Sequence, residues 1–149
     1  KNLTIESEGE AVRWRLPKTN KEASFLVALR GVEGLKLRGF VFDADGRART
    51  AVLLGGHSPG TTLEDLTLEG FTGAGLQILN CEGDKDRPVT VSKVKLVSAT
   101  DKPVGVEFAA TDNKTNRFIH FSDVDFSGPF KSAFLGREKV GEDVTGLMK

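Results

Sequence analysis

With 149 residues, of which 38 % are hydrophobic and 28 % charged, the chain is long enough for one domain with a sizeable core and too short for two ordinary ones. Its 21 basic groups balance 21 acidic ones, so it lacks the surplus of Lys and Arg that displaces counterions from phosphates, and neither nucleic acid nor an anionic membrane surface is an expected partner. No apolar run reaches the length of about 18 residues that spans a bilayer, and no signal-like segment opens the chain, so membrane insertion of this segment is not expected.

The chain opens on Lys1 rather than Met, which leads us to expect processing or excision from a longer protein, with no compartment indicated. Residues 1–31 read as an irregular first coil, in which Leu3 and Ile5 form one strand and Val12, Trp14 and Leu16 another. Trp14 is expected to pack near this end.

From residue 32 a repeat takes over. Val32, Leu35 and Leu37 follow an apolar-x-x-apolar-x-apolar template that returns at Leu63, Leu66 and Leu68, at Val91, Val94 and Leu96, and at Phe121, Val124 and Phe126. The starts lie 31, 28 and 30 residues apart, a nearly constant period of the kind that marks a solenoid. A small residue follows each template, at Gly39, Gly70, Ser98 and Gly128, as a recurrent turn requires. A second apolar stretch follows in each unit: Val52–Leu54, Leu76–Leu79, Val104–Phe108 and Ala133–Leu135. A third short strand is expected ahead of the template, at Phe25–Leu29, Val89–Val91 and Phe118–Phe121.

These strings are short, β-branched or aromatic and broken by Gly, Pro, Asp and Asn, which excludes a helical solenoid. An antiparallel sandwich gives no reason for one template to recur four times, whereas stacking each coil about 4.8 Å above the last does. The expected fold is therefore an all-β parallel β-helix of about five coils with three short strands per coil, regular over 32–136. Residues 137–149 are expected to cap it, with Val140, Val144 and Leu147 spaced for a short amphipathic helix. The whole of 1–149 is read as one domain.

The segments GVEGLKLRGFVFD, TTLEDLTLEGF and VTVSKVKLVSA resemble the right-handed parallel β-helix repeats of the pectate-lyase-like superfamily. The resemblance covers about residues 25–136 and implies right-handed coiling, in line with the chirality of parallel crossovers. It also implies similarity to accessory domains of large bacterial proteins, some attached to Ser/Thr kinases, but the chain has no Gly-rich phosphate loop, HRD-type loop or DFG motif.

Enzymes of that superfamily need a positioned carboxylate pair, or Ca²⁺ with a basic residue. The Asn-Thr-Asp, paired Asp, Gly-His-Gly and Arg-x-Lys motifs of its hydrolases are missing, and Thr111, Asp112 and Asn113 hold similar letters in the wrong order. His57 reads as a solvent-facing loop residue and His120 as outward between Ile119 and Phe121. Asp43, Asp45 and Gly46 read as an Asx turn, since an EF-hand loop needs further ligands. The lone Cys81 excludes an internal disulfide and reads as a buried apolar group. The sequons at Asn2 and Asn113 carry no weight. No catalytic residue, metal or cofactor is assigned.

Stacking the templates predicts outward columns: Asp65, Lys93 and Asp123; Lys36, Thr67, Lys95 and Asp125; and Arg38 over Glu69. Glu33 over Glu64, beside Asp65, is the exception to alternating charge and the one nominated ligand patch. With no Tyr, one Trp and ten Phe mostly at inward positions, an aromatic sugar platform is not expected. The leading reading is a non-catalytic module presenting a flat face to a carbohydrate or protein. Its rivals are a carbohydrate-active enzyme with active loops at 43–50 or 84–88, with or without Ca²⁺, and a structural spacer.

Overall fold

The computed structural model describes residues 2–16, 22–141 and 143–147; the remaining parts of the first coil and of the expected cap lie outside the described residues. The strands are β1 (Leu3–Glu6), β2 (Val12–Arg15), β3 (Ala23–Arg30), β4 (Leu35–Arg38), β5 (Phe40–His57), β6 (Thr62–Glu82), β7 (Val89–Val97), β8 (Val104–Ala109), β9 (Ile119–Ser127), β10 (Ser132–Leu135) and β11 (Val144–Thr145). Every pairing between them is parallel and joins one coil to the next. The fold is a parallel β-solenoid of about five turns, as the recurring template predicts.

Three faces run along it. The first carries β1, β4, the start of β6, the start of β7, the start of β9, and β11. The second carries β2, the start of β5, the middle of β6, and the ends of β7 and β9. The third carries β3, the end of β5, the end of β6, β8 and β10. Inward residues form continuous columns, such as Ile5, Leu37, Leu63, Val91 and Phe121. Val27, Val52, Leu76, Val106 and Phe134 form another. Because each inward side chain lies on its equivalents above and below, the core is one apolar cluster through the axis of the molecule.

The corner between the first two faces sets the register. It is made by one left-handed residue per coil: Gly39 (φ 85°), Asp65 (φ 55°), Lys93 (φ 55°) and Asp123 (φ 54°). The backbone of Gly39 donates to the carbonyl of Asp65 at 2.9 Å, tying two of these corners together. The template is thus itself two strands broken at its third position, and the third strand expected ahead of it is not separate. Val89–Val91 belongs to the first face, and Phe25–Leu29 to the third.

This corner also corrects the alignment of the second coil. Leu37, Phe40 and Phe42 satisfy the template as well as Val32, Leu35 and Leu37 do, and it is Leu37 that pairs with Leu63 and Phe42 with Leu68. Gly39 is the equivalent of Asp65, and Ala44 takes the place expected for Gly39 in the column of Gly70, Ser98 and Gly128. The choice is physical: Gly39 adopts the left-handed corner with no side chain to obstruct it.

At the far end, Arg137–Lys139 is one turn of 3-10 helix, and Val144–Thr145 pairs with Ile119 and His120 as an extra strand. The expected amphipathic helix does not form. Gly136 enters the turn at φ 86° and Gly146 follows the strand at φ 87°, both outside helical geometry. Val140, Val144 and Leu147 still pack against the core, as a cap must.

Candidate ligand cleft

Where the second face turns into the third, the loops of the second, third and fourth coils leave a cleft of about 530 Å³. Gly70, Phe71, Val97 and Ala99 give it an apolar lining, while Asp43, Glu69, Thr100 and Lys102 supply the polar groups. Its size lies within the usual range of ligand pockets, and its mixture of apolar wall and a few polar groups is typical of them.

Register builds the acidic side. Arg15 pairs with Asp43 and Asp43 with Glu69, so the three stand in one column at the end of the second face. Arg15 Nη2 lies 2.9 Å from Asp43 Oδ2, and Arg13 Nη1 lies 3.0 Å from the same oxygen while also bonding Glu69 Oε1. The other Asp43 oxygen accepts the Asp45 N–H at 2.8 Å, closing the expected Asx turn. Burial by itself would raise the Asp43 pKa, but the Asp45 N–H, Arg15 and Arg13 together outweigh it and hold the carboxyl below its ordinary 3.8.

The loop from Ser98 to Lys102 forms the other side. The Ser98 hydroxyl donates to the Thr100 carbonyl at 2.6 Å and accepts the Thr100 N–H at 3.2 Å. These local bonds shape a turn that brings Thr100 and Lys102 to the cleft.

The nominated acidic patch is not stacked as predicted. Arg38, not Glu33, is the partner of Glu64, and both Lys36 Nζ and Arg38 Nη2 lie 3.7 Å from Glu64 oxygens. Glu33 instead receives Arg87 Nη1 at 2.9 Å, and the hydrogen bond and charge of Arg87 keep its carboxyl below the ordinary 4.5. Asp65 stands at its left-handed corner, lining a small polar recess of about 200 Å³ with Glu6 and Arg38. The five-residue shift of the second coil also replaces Lys36 over Thr67 by Val41, and Arg38 over Glu69 by Asp43. The columns Asp65, Lys93, Asp123 and Thr67, Lys95, Asp125 stand as predicted.

Of the two loops singled out for the rival enzyme, 43–50 reaches the cleft through Asp43 and Gly46, whereas 84–88 does not contribute to it. Asp84 instead lies 3.1 Å from Nε2 of the exposed His57. His120 is exposed between buried neighbours, and burial pushes the Cys81 thiol up to about 12. Among the described residues, no group of three or more His, Cys, Asp or Glu side chains is placed to hold a metal ion. Sequence reasoning missed Arg13, Arg15, Glu69 and Lys102 as partners of one site. The signal was available in the shared column of Arg15, Asp43 and Glu69, once the second coil is set in register.

Compared with protein-family models, curated proteins and solved structures, the chain matches none of them.

Proposed function

We propose that the chain is a non-catalytic solenoid module that binds carbohydrate in the cleft between its second and third faces. The observation that carries this reading is the state of Asp43, the more buried carboxylate of the cleft. Hydrolysis of a glycosidic bond needs one carboxyl that keeps its proton near neutrality and a second that acts as base or nucleophile. Asp43 is held below its ordinary pKa and its two oxygens are occupied by Arg13, Arg15 and the Asp45 N–H. Such a carboxyl is poorly suited to donate a proton, and both of its oxygens already accept hydrogen bonds within the chain.

The same groups suit recognition. Sugar C–H faces pack on an apolar lining such as Phe71, Val97 and Ala99, while hydroxyls find the Thr100 hydroxyl, the Lys102 ammonium and the outer edge of Glu69. The resemblance of GVEGLKLRGFVFD to pectate-lyase-like repeats supports placing the module beside other domains of a larger bacterial protein, with its own chemistry limited to binding.

The test is a glycan array of neutral and acidic polysaccharides followed by calorimetry on any hit, with product-release assays run with and without Ca²⁺. The expected result is saturable binding, weakened about tenfold, or about 1.4 kcal/mol, by Lys102→Glu, with no sugar products released. Product release abolished by Asp43→Asn would establish the enzyme instead. Binding to no glycan, or binding indifferent to Lys102, overturns the assignment to this cleft.

A further inference from the structure

Where β5 passes from the second face to the third, the second coil carries more chain than the coil below it. Its pairing with the third coil lapses after Asp43 and Glu69 and resumes at Ala48 and Phe71, so residues 44–47 lie where the third coil has only Gly70. The pairs with the first coil also stop at Asp43 and resume at Ala48. The stretch is a bulge without ladder partners on either side among the described residues.

In this bulge stands Asp45–Gly46, the one step of the chain at which glycine follows Asp or Asn. Other aspartates precede bulkier residues, such as Leu66, Lys85 and Val124. The Asp45 side chain is 41 % exposed and pairs with Arg47 of the same bulge at 3.2 Å. Gly46 (φ 70°) has nothing within 4 Å of the place a Cβ would occupy.

We infer that Asp45–Gly46 is a modification site, at which the native protein converts spontaneously to isoaspartate and becomes a substrate for S-adenosylmethionine-dependent carboxyl methylation. The Gly46 nitrogen attacks Cγ of the protonated Asp45 carboxyl. An N–C bond forms, a carboxyl C–O bond breaks, and the hydrogen of the Gly46 N–H leaves with the hydroxyl as water. Water then opens the cyclic imide at either carbonyl. Breaking the bond from nitrogen to the original peptide carbon routes the main chain through Cβ and Cγ and leaves a free α-carboxylate, with no net change in mass. A methyltransferase moves the sulfonium methyl of its cofactor to an oxygen of that carboxylate, releasing S-adenosylhomocysteine.

Two properties of the site favour the first step. Glycine places no side chain over the attacking nitrogen, and a peptide outside the ladder can turn toward its own carboxyl without breaking the stack. Within the paired strands that rotation would cost ladder hydrogen bonds. The site lies at the rim of the cleft, through Gly46, and the inference holds whatever the cleft binds.

The test holds the intact protein, and a parallel sample unfolded in urea, at physiological temperature and neutral pH for weeks. Isoaspartate at residue 45 is read by peptide mapping and by methyl transfer from labelled S-adenosylmethionine with an isoaspartyl methyltransferase. Conversion in the native protein is expected to run within about tenfold of the unfolded rate. Asp45→Glu keeps the charge but disfavours ring closure, and should abolish labelling of the native protein. Asp45→Asn should speed conversion, with ammonia leaving in place of water. Native conversion more than about tenfold slower than in urea overturns the proposal, because the fold then holds the nitrogen away from the carboxyl. Labelling that survives Asp45→Glu overturns it equally.

Discussion

The side-chain amide of Asn116 stands in for a missing piece of strand above Cys81. Its Oδ1 accepts the Cys81 N–H at 2.7 Å, and its Nδ2 donates to the carbonyls of Ala109 at 3.1 Å and Lys139 at 3.0 Å. One fully buried side chain therefore ties together backbone from the third and fourth coils and from the C-terminal turn. Asn116→Ala would leave the buried Cys81 N–H without its acceptor and the Ala109 carbonyl without this donor, while the Lys139 carbonyl keeps the Asn116 N–H and the Thr115 hydroxyl, at about 1 to 3 kcal/mol for the buried group. We expect a loss of about 2 kcal/mol in urea unfolding, and Asn116→Asp to be no better, because a carboxylate facing two carbonyls cannot donate. A loss below about 1 kcal/mol would mean that water replaces the amide.

Glycines at loops with similar backbone angles should differ sharply in tolerance. Gly46 (φ 70°) has open space where a Cβ would go, so Gly46→Ala costs only the left-handed backbone, about 1 kcal/mol. Gly128 (φ 88°) would place a Cβ 2.0 Å from the carbonyl oxygen of Ser98, in the preceding coil. Gly128→Ala must push two coils apart, and its destabilisation should exceed that of Gly46→Ala at least twofold in thermal unfolding. Equal losses would show that the last coils adjust without cost.

The solenoid was legible because the inward positions repeat chemically: Leu63, Leu66 and Leu68 announce the same environment as Val91, Val94 and Leu96. The register of the second coil was not, because VEGLKLRGFVF holds two overlapping copies of one template and hydrophobicity cannot choose between them. Backbone conformation chooses, through the left-handed corner shared by Gly39 and Asp65. The cleft was hidden for the same reason. Asp43 and Glu69 meet only when that corner is aligned, and Arg13 reaches them from a first coil whose loops break the period. The C-terminal spacing of Val140, Val144 and Leu147 fits a helix, but it equally serves an extended segment whose apolar groups return to the core.

The Asp43 cluster predicts a pH dependence with a definite sign. The folded-state pKa lies below the ordinary 3.8, so the unfolded chain takes up the proton first as pH falls. The stabilisation is therefore complete above about pH 5 and is lost as the pH drops below 4 through the folded-state value. Asp43→Asn should be less stable than the parent near neutrality, and the difference between them should shrink steadily between about pH 5 and pH 3 in parallel denaturation curves. A constant difference over that range would mean that the carboxylate charge contributes nothing there.

Cys81 provides a chemical clock for opening of the middle coil. Its thiol is fully buried, and burial, with a smaller contribution from Glu82, raises its pKa to about 12. At pH 8 the native thiolate fraction is negligible and the sulfur is covered, so an alkylating reagent can reach it only when the third coil opens. Labelling should be slower than that of a free cysteine by several powers of ten, and urea should accelerate it in step with the unfolding equilibrium. Asn116→Ala should accelerate it further at zero denaturant, because the amide bonds the Cys81 N–H directly. Rapid labelling of the native protein would show that the third coil opens without the rest of the stack, which is incompatible with one continuous core running through all of the coils.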